Sequence, residues 1–222
     1  MQIRFLVLLL LAFANAAHGE RSISAQRCNG IWAASAKPPY DESSSFGPSE
    51  VVSPNGLFSI RGTDEGLSLV TGTGGKILLP DVITPPITEV LWSTDSRHFA
   101  INFSDGGAVG TWMTSLYSLG DTDYPLQMEI QSLLKKSANK LPRCYRRETA
   151  NLGIAAWLNN GKEMLLIAEV PPHSSCRNMG DIFGYRISVK SGAILERFSE
   201  TVLRKKWGRV LGCRFAKRQT DK

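Results

Sequence analysis

The stretch from Glu89 to Leu119, EVLWSTDSRHFAINFSDGGAVGTWMTSLYSL, leaves a chain little choice but antiparallel β-structure. Val90, Leu91 and Trp92 run apolar into Ser93-Thr94-Asp95-Ser96, a cluster of turn formers. Phe99, Ile101 and Phe103 then alternate with Ala100, Asn102 and Ser104. Successive side chains of a strand point to opposite faces, so this period marks a half-buried strand. Asp105-Gly106-Gly107 supplies a second reversal, and Gly110 to Leu119 alternates again with Met113, Tyr117 and Leu119 on one face. Strand, turn, strand, turn, strand is a meander.

The pattern recurs on both sides. Val52-Ser53-Pro54-Asn55-Gly56 precedes apolar runs at Leu57 to Arg61, Gly66 to Thr71 and Lys76 to Leu79. Trp157-Leu158-Asn159-Asn160-Gly161-Lys162 precedes Met164 to Val170 and the alternating Ile182 to Val189. Ser53 to Ser93 is a step of 40 residues, and Ser93 to Leu158 a step of 65. A period of roughly 40 residues with several strands per unit is the mark of propeller blades. The units resemble blades of the WD40-like, TolB-type β-propeller repeat, whose hallmark is W-S-P-D-G-[KR] before a hydrophobic strand. WSTDSR at Trp92 to Arg97 carries the resemblance best. WLNNGK at Trp157 to Lys162 is a weaker copy, and VSPNGL at Val52 to Leu57 lacks the Trp. The resemblance covers Val52 to Phe198. It implies blade-like sheets and leaves function open, because propellers host enzymes, scaffolds and ligand traps alike. The residues of the motif have a local, structural reason: Asn or Asp beside Gly or Ser makes the tight reversal, and the Trp covers the strand that follows.

Three such units are fewer than the roughly four to eight blades of closed propellers. The expected fold is therefore all-β, an incomplete propeller-like or sandwich-like stack of antiparallel meander sheets, with a degenerate fourth blade closing the ring as the alternative. Ile31 to Ala34 reads as a short N-terminal edge strand on the first unit, and Lys37 to Glu50 as a loop pinned by Tyr40 and Phe46. One amphipathic helix is expected as an insertion. Pro125 suits a helix start, and Leu126, Ile130, Leu133 and Leu134 recur at helical spacing. With the basic loop after it, this insertion fills about 125–150.

Residues 1–16 read as a signal peptide: Arg4, an apolar run from Phe5 to Phe13, and Ala14-Asn15-Ala16 as cleavage site, with Ala17-His18-Gly19 offering a second one. The apolar run is about half of what a spanning helix needs. Residues 17–222 then form a single domain, periplasmic or secreted. Four cysteines, Cys28, Cys144, Cys176 and Cys213, favour two disulfides in an exported chain. Three pairings are open. Cys144–Cys176 with Cys28–Cys213 is preferred, because the second bridge ties the two ends of an open array together.

Charge is lopsided. Residues 17–134 hold 6 Lys/Arg against 13 Asp/Glu, and residues 135–222 hold 19 against 7. The basic half contains a patch at Lys135, Lys136, Lys140, Arg143, Arg146 and Arg147, and a closing run from Arg204 to Lys222. Such a half attracts anionic partners through long-range fields.

Catalytic chemistry finds little support. His98 sits in a repeat turn and reads as exposed and structural. His173 lies beside Ser174 and Ser175, but neighbours on a loop rarely face one another as a triad requires, and there is no G-x-S-x-G elbow. His173 and Cys176 lack the companion ligands of a zinc site. Gly72-Thr73-Gly74-Gly75 precedes a strand, so it is a hairpin turn and not a phosphate loop. No metal or other cofactor is implied. Binding remains, and the stretch Val170 to Asp181, stiffened by Pro171, Pro172 and a disulfide at Cys176, is the candidate element. His173, Ser174, Ser175 and Arg177 are its expected partner-binding residues. The expected function is a non-catalytic exported protein-binding module that resembles, in architecture only, periplasmic inhibitor or immunity-type proteins, and whose partner is another envelope or secreted protein. A basic surface module for anionic envelope polymer or lipid is the alternative, and a hydrolase assembled only in three dimensions the third reading. Nucleic acid is disfavoured by compartment.

Overall fold

The structure, a computed structural model, describes residues 30–40, 50–63, 65–80, 87–106, 111–120, 149–172 and 174–215, together with the backbone of 125–128. Among the described residues twelve strands form three four-stranded antiparallel sheets, each in the spatial order of a meander. The first holds β1 (Glu50–Val52), β2 (Phe58–Thr63), β3 (Gly66–Thr71) and β4 (Lys76–Leu78). The second holds β5 (Thr88–Trp92), β6 (His98–Ser104), β7 (Trp112–Leu119) and β8 (Pro125–Met128). The third holds β9 (Asn151–Leu158), β10 (Glu163–Glu169), β11 (Ile182–Ser188) and β12 (Ile194–Ser199), followed by helix α1 (Glu200–Trp207) and a single 3₁₀ turn at Cys213–Phe215. The all-β expectation holds.

The repeat seen in the sequence is also a repeat of hydrogen bonds. Ser53 N donates to Phe58 O at 2.8 Å, and Ser93 N to His98 O at 2.8 Å. The Ser53 hydroxyl donates to Asn55 Oδ1, and that oxygen accepts from Leu57 N; Ser93, Asp95 and Arg97 N repeat the arrangement. Short polar side chains that bond the backbone two residues on are what make such turns tight. Where the first turn has Gly56 at φ 73°, the second has Ser96 at φ 59°. The third turn departs from the pattern, since Leu158 replaces the serine, and Asn159, Asn160 and Gly161 follow one another at positive φ.

The sheets bury their apolar faces against one another. Ile60, Leu67 and Leu69 of the first sheet pack with Val90, Phe99, Ile101 and Tyr117 of the second. The other face of the second sheet, with Leu91, Ala100 and Leu116, packs with Ile154, Met164, Leu166 and Tyr185 of the third. Each large side chain so buried contributes roughly 1.5–3 kcal/mol, so these two seams hold the molecule together. The remaining face of the third sheet, with Ala155, Leu165, Ile167 and Phe198, is covered by Trp32, Leu203 of α1 and Phe215.

Residues 30–40 form a strap with no regular strand. Lys37 exchanges two backbone hydrogen bonds with Val90 on the edge of β5, and Ala33 bridges to Leu211. The strap therefore joins the second sheet to the C-terminal segment, a correction to the expected edge strand on the first unit. Trp32 needs a flat partner for its ring, and finds one over Gly153 of the third sheet and against Trp112 of the second. Tyr40 does pin the strap's end, lying against Gly62.

The expected helix is also corrected at its start. Pro125–Met128 is strand β8, paired with Leu119 to Leu116 of β7. Proline tolerates an edge strand as well as a first helical turn, and the edge won. The rest of the expected insertion, 129–148, lies outside the described residues. Tyr117 and Leu119 are buried as their alternation requires, whereas Met113 is 37% exposed. Among the described residues no helix is long and apolar enough to cross a membrane.

Candidate functional site

The end of the third sheet where β10 passes into β11 gathers the features that matter. Val170 N donates to Asp181 O and Gly180 N to Val170 O, both at 2.9 Å, so the two ends of the loop close on each other. Inside it, Ser174 N donates to Pro171 O at 3.1 Å, and the Ser174 hydroxyl accepts from Cys176 N at 3.3 Å. Cys176 is 7% exposed and is disulfide-bonded, and Cys213 is disulfide-bonded as well. Cys28 and Cys144 lie outside the described residues. Around this fixed centre, Pro172, Ser175, Arg177 and Met179 face solvent, Met179 at 52%. Polar loops on rigid scaffolds carry much of the binding done by β-proteins.

The root of the loop is held by an ion pair. Nη2 and Nε of Arg214 both donate to Glu169 Oε2, at 2.6 and 3.1 Å. Asn151 Nδ2 donates to the same oxygen at 2.9 Å, while its Oδ1 accepts from Trp112 N. The Arg214 guanidinium lies 5.4 Å from the ring centre of Trp32 and 5.6 Å from that of Trp112, within cation–π range. Glu169 is the last residue of β10, so its pairing fixes the point from which the loop departs. The register Phe183↔Ser199 sets the start of α1 beside the loop's exit.

A second buried polar group lies deeper. Glu89 is 2% exposed, and its carboxylate accepts from Trp32 N at 3.0 Å, Ala33 N at 3.3 Å, Ile31 N, and Asn102 Nδ2 at 2.7 Å. Burial pushes this carboxyl above the ordinary carboxylate range, while Asn102 and the three backbone N–H groups oppose the shift. Asn102 also bonds both the N–H and the C=O of Ile154. One side chain thus serves the second sheet, the third sheet and, through Glu89, the strap. Ala155 is the extra residue of a β-bulge beside Ile154. Asn102 begins an N-x-S sequence, yet it is fully buried in this network.

Of the expected site residues, Ser175 and Arg177 are exposed, and Ser174 is partly buried and engaged within the loop. His173 lies outside the described residues, as do Lys135, Lys136, Lys140, Arg143, Arg146 and Arg147. His98 is corrected: it is half-buried, stacked on Trp157 with ring centres 5.6 Å apart and planes 23° from parallel. Burial lowers its pKa, with Asp95 opposing and Arg97 assisting. In the sequence Arg214 reads only as part of the closing basic run and Asn102 only as a polar position of an alternating strand, and Glu89 and Glu169 carry no assigned role. The only available signals were a carboxylate opening an apolar run at Glu89 and another closing one at Glu169. Among the described residues no three His, Cys, Asp or Glu side chains gather as metal ligands. No protein-family model, curated protein or solved structure matches the chain.

Proposed function

We propose that the chain is a non-catalytic, exported protein-binding module that presents the Val170–Asp181 loop to another envelope or secreted protein, in the manner of a periplasmic inhibitor or immunity-type protein. The observation that carries this reading is the contrast within the loop. Its two ends and Cys176 are fixed by backbone bonds and a disulfide, while the side chains of Ser175, Arg177 and Met179 lie exposed on its surface. A loop already held in shape loses little conformational entropy on docking. The buried carboxylates lend support, since Glu89 is occupied by four donors and Glu169 by Arg214 and Asn151.

The scaffold reads as an open, propeller-like array. In its favour, Trp92 Nε1 donates to Val51 O and Trp157 Nε1 to Leu91 O, one and the same step from each sheet to the one before. Of the three pairings, Cys28–Cys213 with Cys144–Cys176 remains preferred. Cys213 N donates to Gly30 O at 3.0 Å and Arg214 N to Ile31 O at 3.1 Å, so the two segments run side by side two residues from Cys28. Residues 1–16 act as the export signal.

The test is affinity capture from the envelope fraction with the mature, oxidised protein as bait and mass spectrometry as readout. The triple variant S175R/R177E/M179D should lose the captured partner and keep its melting temperature. Capture of the same partner by wild type and variant alike would overturn the assignment of binding to this loop.

A further inference from the structure

We propose that the exposed stripe of α1 is a docking surface for an anionic phospholipid bilayer, independent of the β10–β11 loop. Leu203 is the buried residue of α1, and it sets which face meets the third sheet, against Gly184. On the flank beside it, Val202, Lys205, Lys206 and Arg209 follow at three, four and seven residues from Val202 and share one exposed side, with Lys206, nearest to Leu203, also lying over the Phe198 and Trp207 rings. Gly208 keeps right-handed helical dihedrals (φ −53°, ψ −29°), so Arg209 continues the line. All four residues are exposed, Val202 at 47%.

Acids do little to neutralise this stripe. Glu200 is engaged by Arg204 at 2.7 Å, and Glu196 reaches Lys206 at 3.4 Å across largely exposed side chains. Lys205 and Arg209 have no acid within ion-pair distance among the described residues. The opposite end of the molecule carries both signs, with Glu50 paired to Arg61 and Glu65 to Lys76 on the first sheet. The charge is thus directional, and residues 135–222 as a whole hold 19 Lys/Arg against 7 Asp/Glu.

A cationic line on a short convex helix fits a flat anionic surface better than a cleft. The valine within the line points the same way, because a bilayer interface takes apolar groups between its headgroups and a soluble polyanion does not.

The experiment is co-sedimentation of the full chain with vesicles of phosphatidylglycerol and phosphatidylcholine in equal parts, and with phosphatidylcholine alone. Wild type should bind only the anionic vesicles, and added salt should release it. K205E/K206E/R209E should weaken binding by more than about a hundredfold, at roughly fivefold or more per cation, with an unchanged melting temperature. V202S should weaken vesicle binding and leave retention on a polyglutamate column unaltered. The proposal is overturned if wild type ignores anionic vesicles at low salt, or if the triple reversal binds like wild type. It is equally overturned if V202S leaves vesicle binding intact while polyglutamate holds the protein as tightly, which would make the partner an acidic chain in solution.

Discussion

The indole N–H of Trp157 donates to the carbonyl of Leu91 at 3.0 Å, reaching from the third sheet back to the second. Trp92 makes the same reach to Val51, from the second sheet to the first, at 2.9 Å. The turns beside these tryptophans also touch, since Ser96 Oγ accepts from Asn55 N and Thr94 Oγ1 donates to Asn160 Oδ1. One seam is therefore built twice from the same parts. Val52 stands where a third tryptophan would, and it is 55% exposed; among the described residues no sheet precedes it.

Equivalent roles predict equivalent costs. Trp92→Phe and Trp157→Phe each remove one hydrogen bond while keeping an aromatic ring, and each should destabilise by about 1 kcal/mol. Trp157→Ala also empties the seam and should cost roughly 3 kcal/mol or more. Denaturant midpoints at unchanged slope measure this. A neutral Trp157→Phe beside a costly Trp92→Phe would show that the two seams are not alike.

The meanders were legible because alternation and turn chemistry are local. Phe99, Ile101 and Phe103 announce β6 without reference to anything distant. Helix α1 was not legible, since eight residues with Leu203 alone buried are too short to show a helical period, and Arg204 to Lys206 read as a basic run. Pro125 misled for a related reason, because edge strand and helix start accept it equally. The polar pins of the fold were illegible in principle. Asn102 and Ile154 are 52 residues apart, Glu89 and Trp32 are 57 apart, and no spacing rule links them. Of the expected loop site, the prolines and Cys176 showed that it was held, but Ser174 turned out to serve the loop's own backbone.

Glu89 is the pin most exposed to test. Glu89→Ala strands four donors, and with buried unsatisfied groups at about 1–3 kcal/mol each, the loss should be on the order of 3 kcal/mol or more. Burial raises its carboxyl pKa in the fold. The folded state therefore binds the proton more readily than the unfolded one, whose carboxyl titrates near 4.5. The contribution of Glu89 is fully present below that value and falls as pH rises through the folded pKa. The stability gap between wild type and Glu89→Gln should accordingly be wider in acid than at neutral pH, read from urea midpoints across that range. A gap that widens toward neutral pH would reverse the sign argued here.

His98 should act in the other direction. Its ring stacks on Trp157 and its Nδ1 is buried with no hydrogen-bond partner among the described residues, so the neutral form suits the fold. With the folded pKa lowered below 6.5, the unfolded chain takes up the proton first. Stability from this residue is complete above 6.5 and is lost as pH falls toward the folded pKa. Protonation in contact with Trp157 should also quench indole fluorescence over the same window. His98→Phe keeps the stacking and should abolish both effects; a variant that retains the acid loss of stability would place its origin elsewhere.

The contact of Trp32 with Gly153 leaves no room for a larger residue. A Cβ on Gly153 would meet the Trp32 ring at 2.1 to 2.4 Å, far inside van der Waals contact. Trp32 cannot retreat, because it is fully buried between Trp112, Phe215 and the Arg214 guanidinium. Gly153→Ala must therefore push the ring outward or bend β9, and overpacking of this kind costs about 1–3 kcal/mol or more. Because Trp32 N also donates to Glu89, the displaced strap should loosen at that carboxylate as well. Trp32→Leu vacates the ring's space and should relieve part of the cost of Gly153→Ala in the double variant. A double-mutant cycle gives the coupling directly, and strictly additive losses would mean that the two residues do not meet as described.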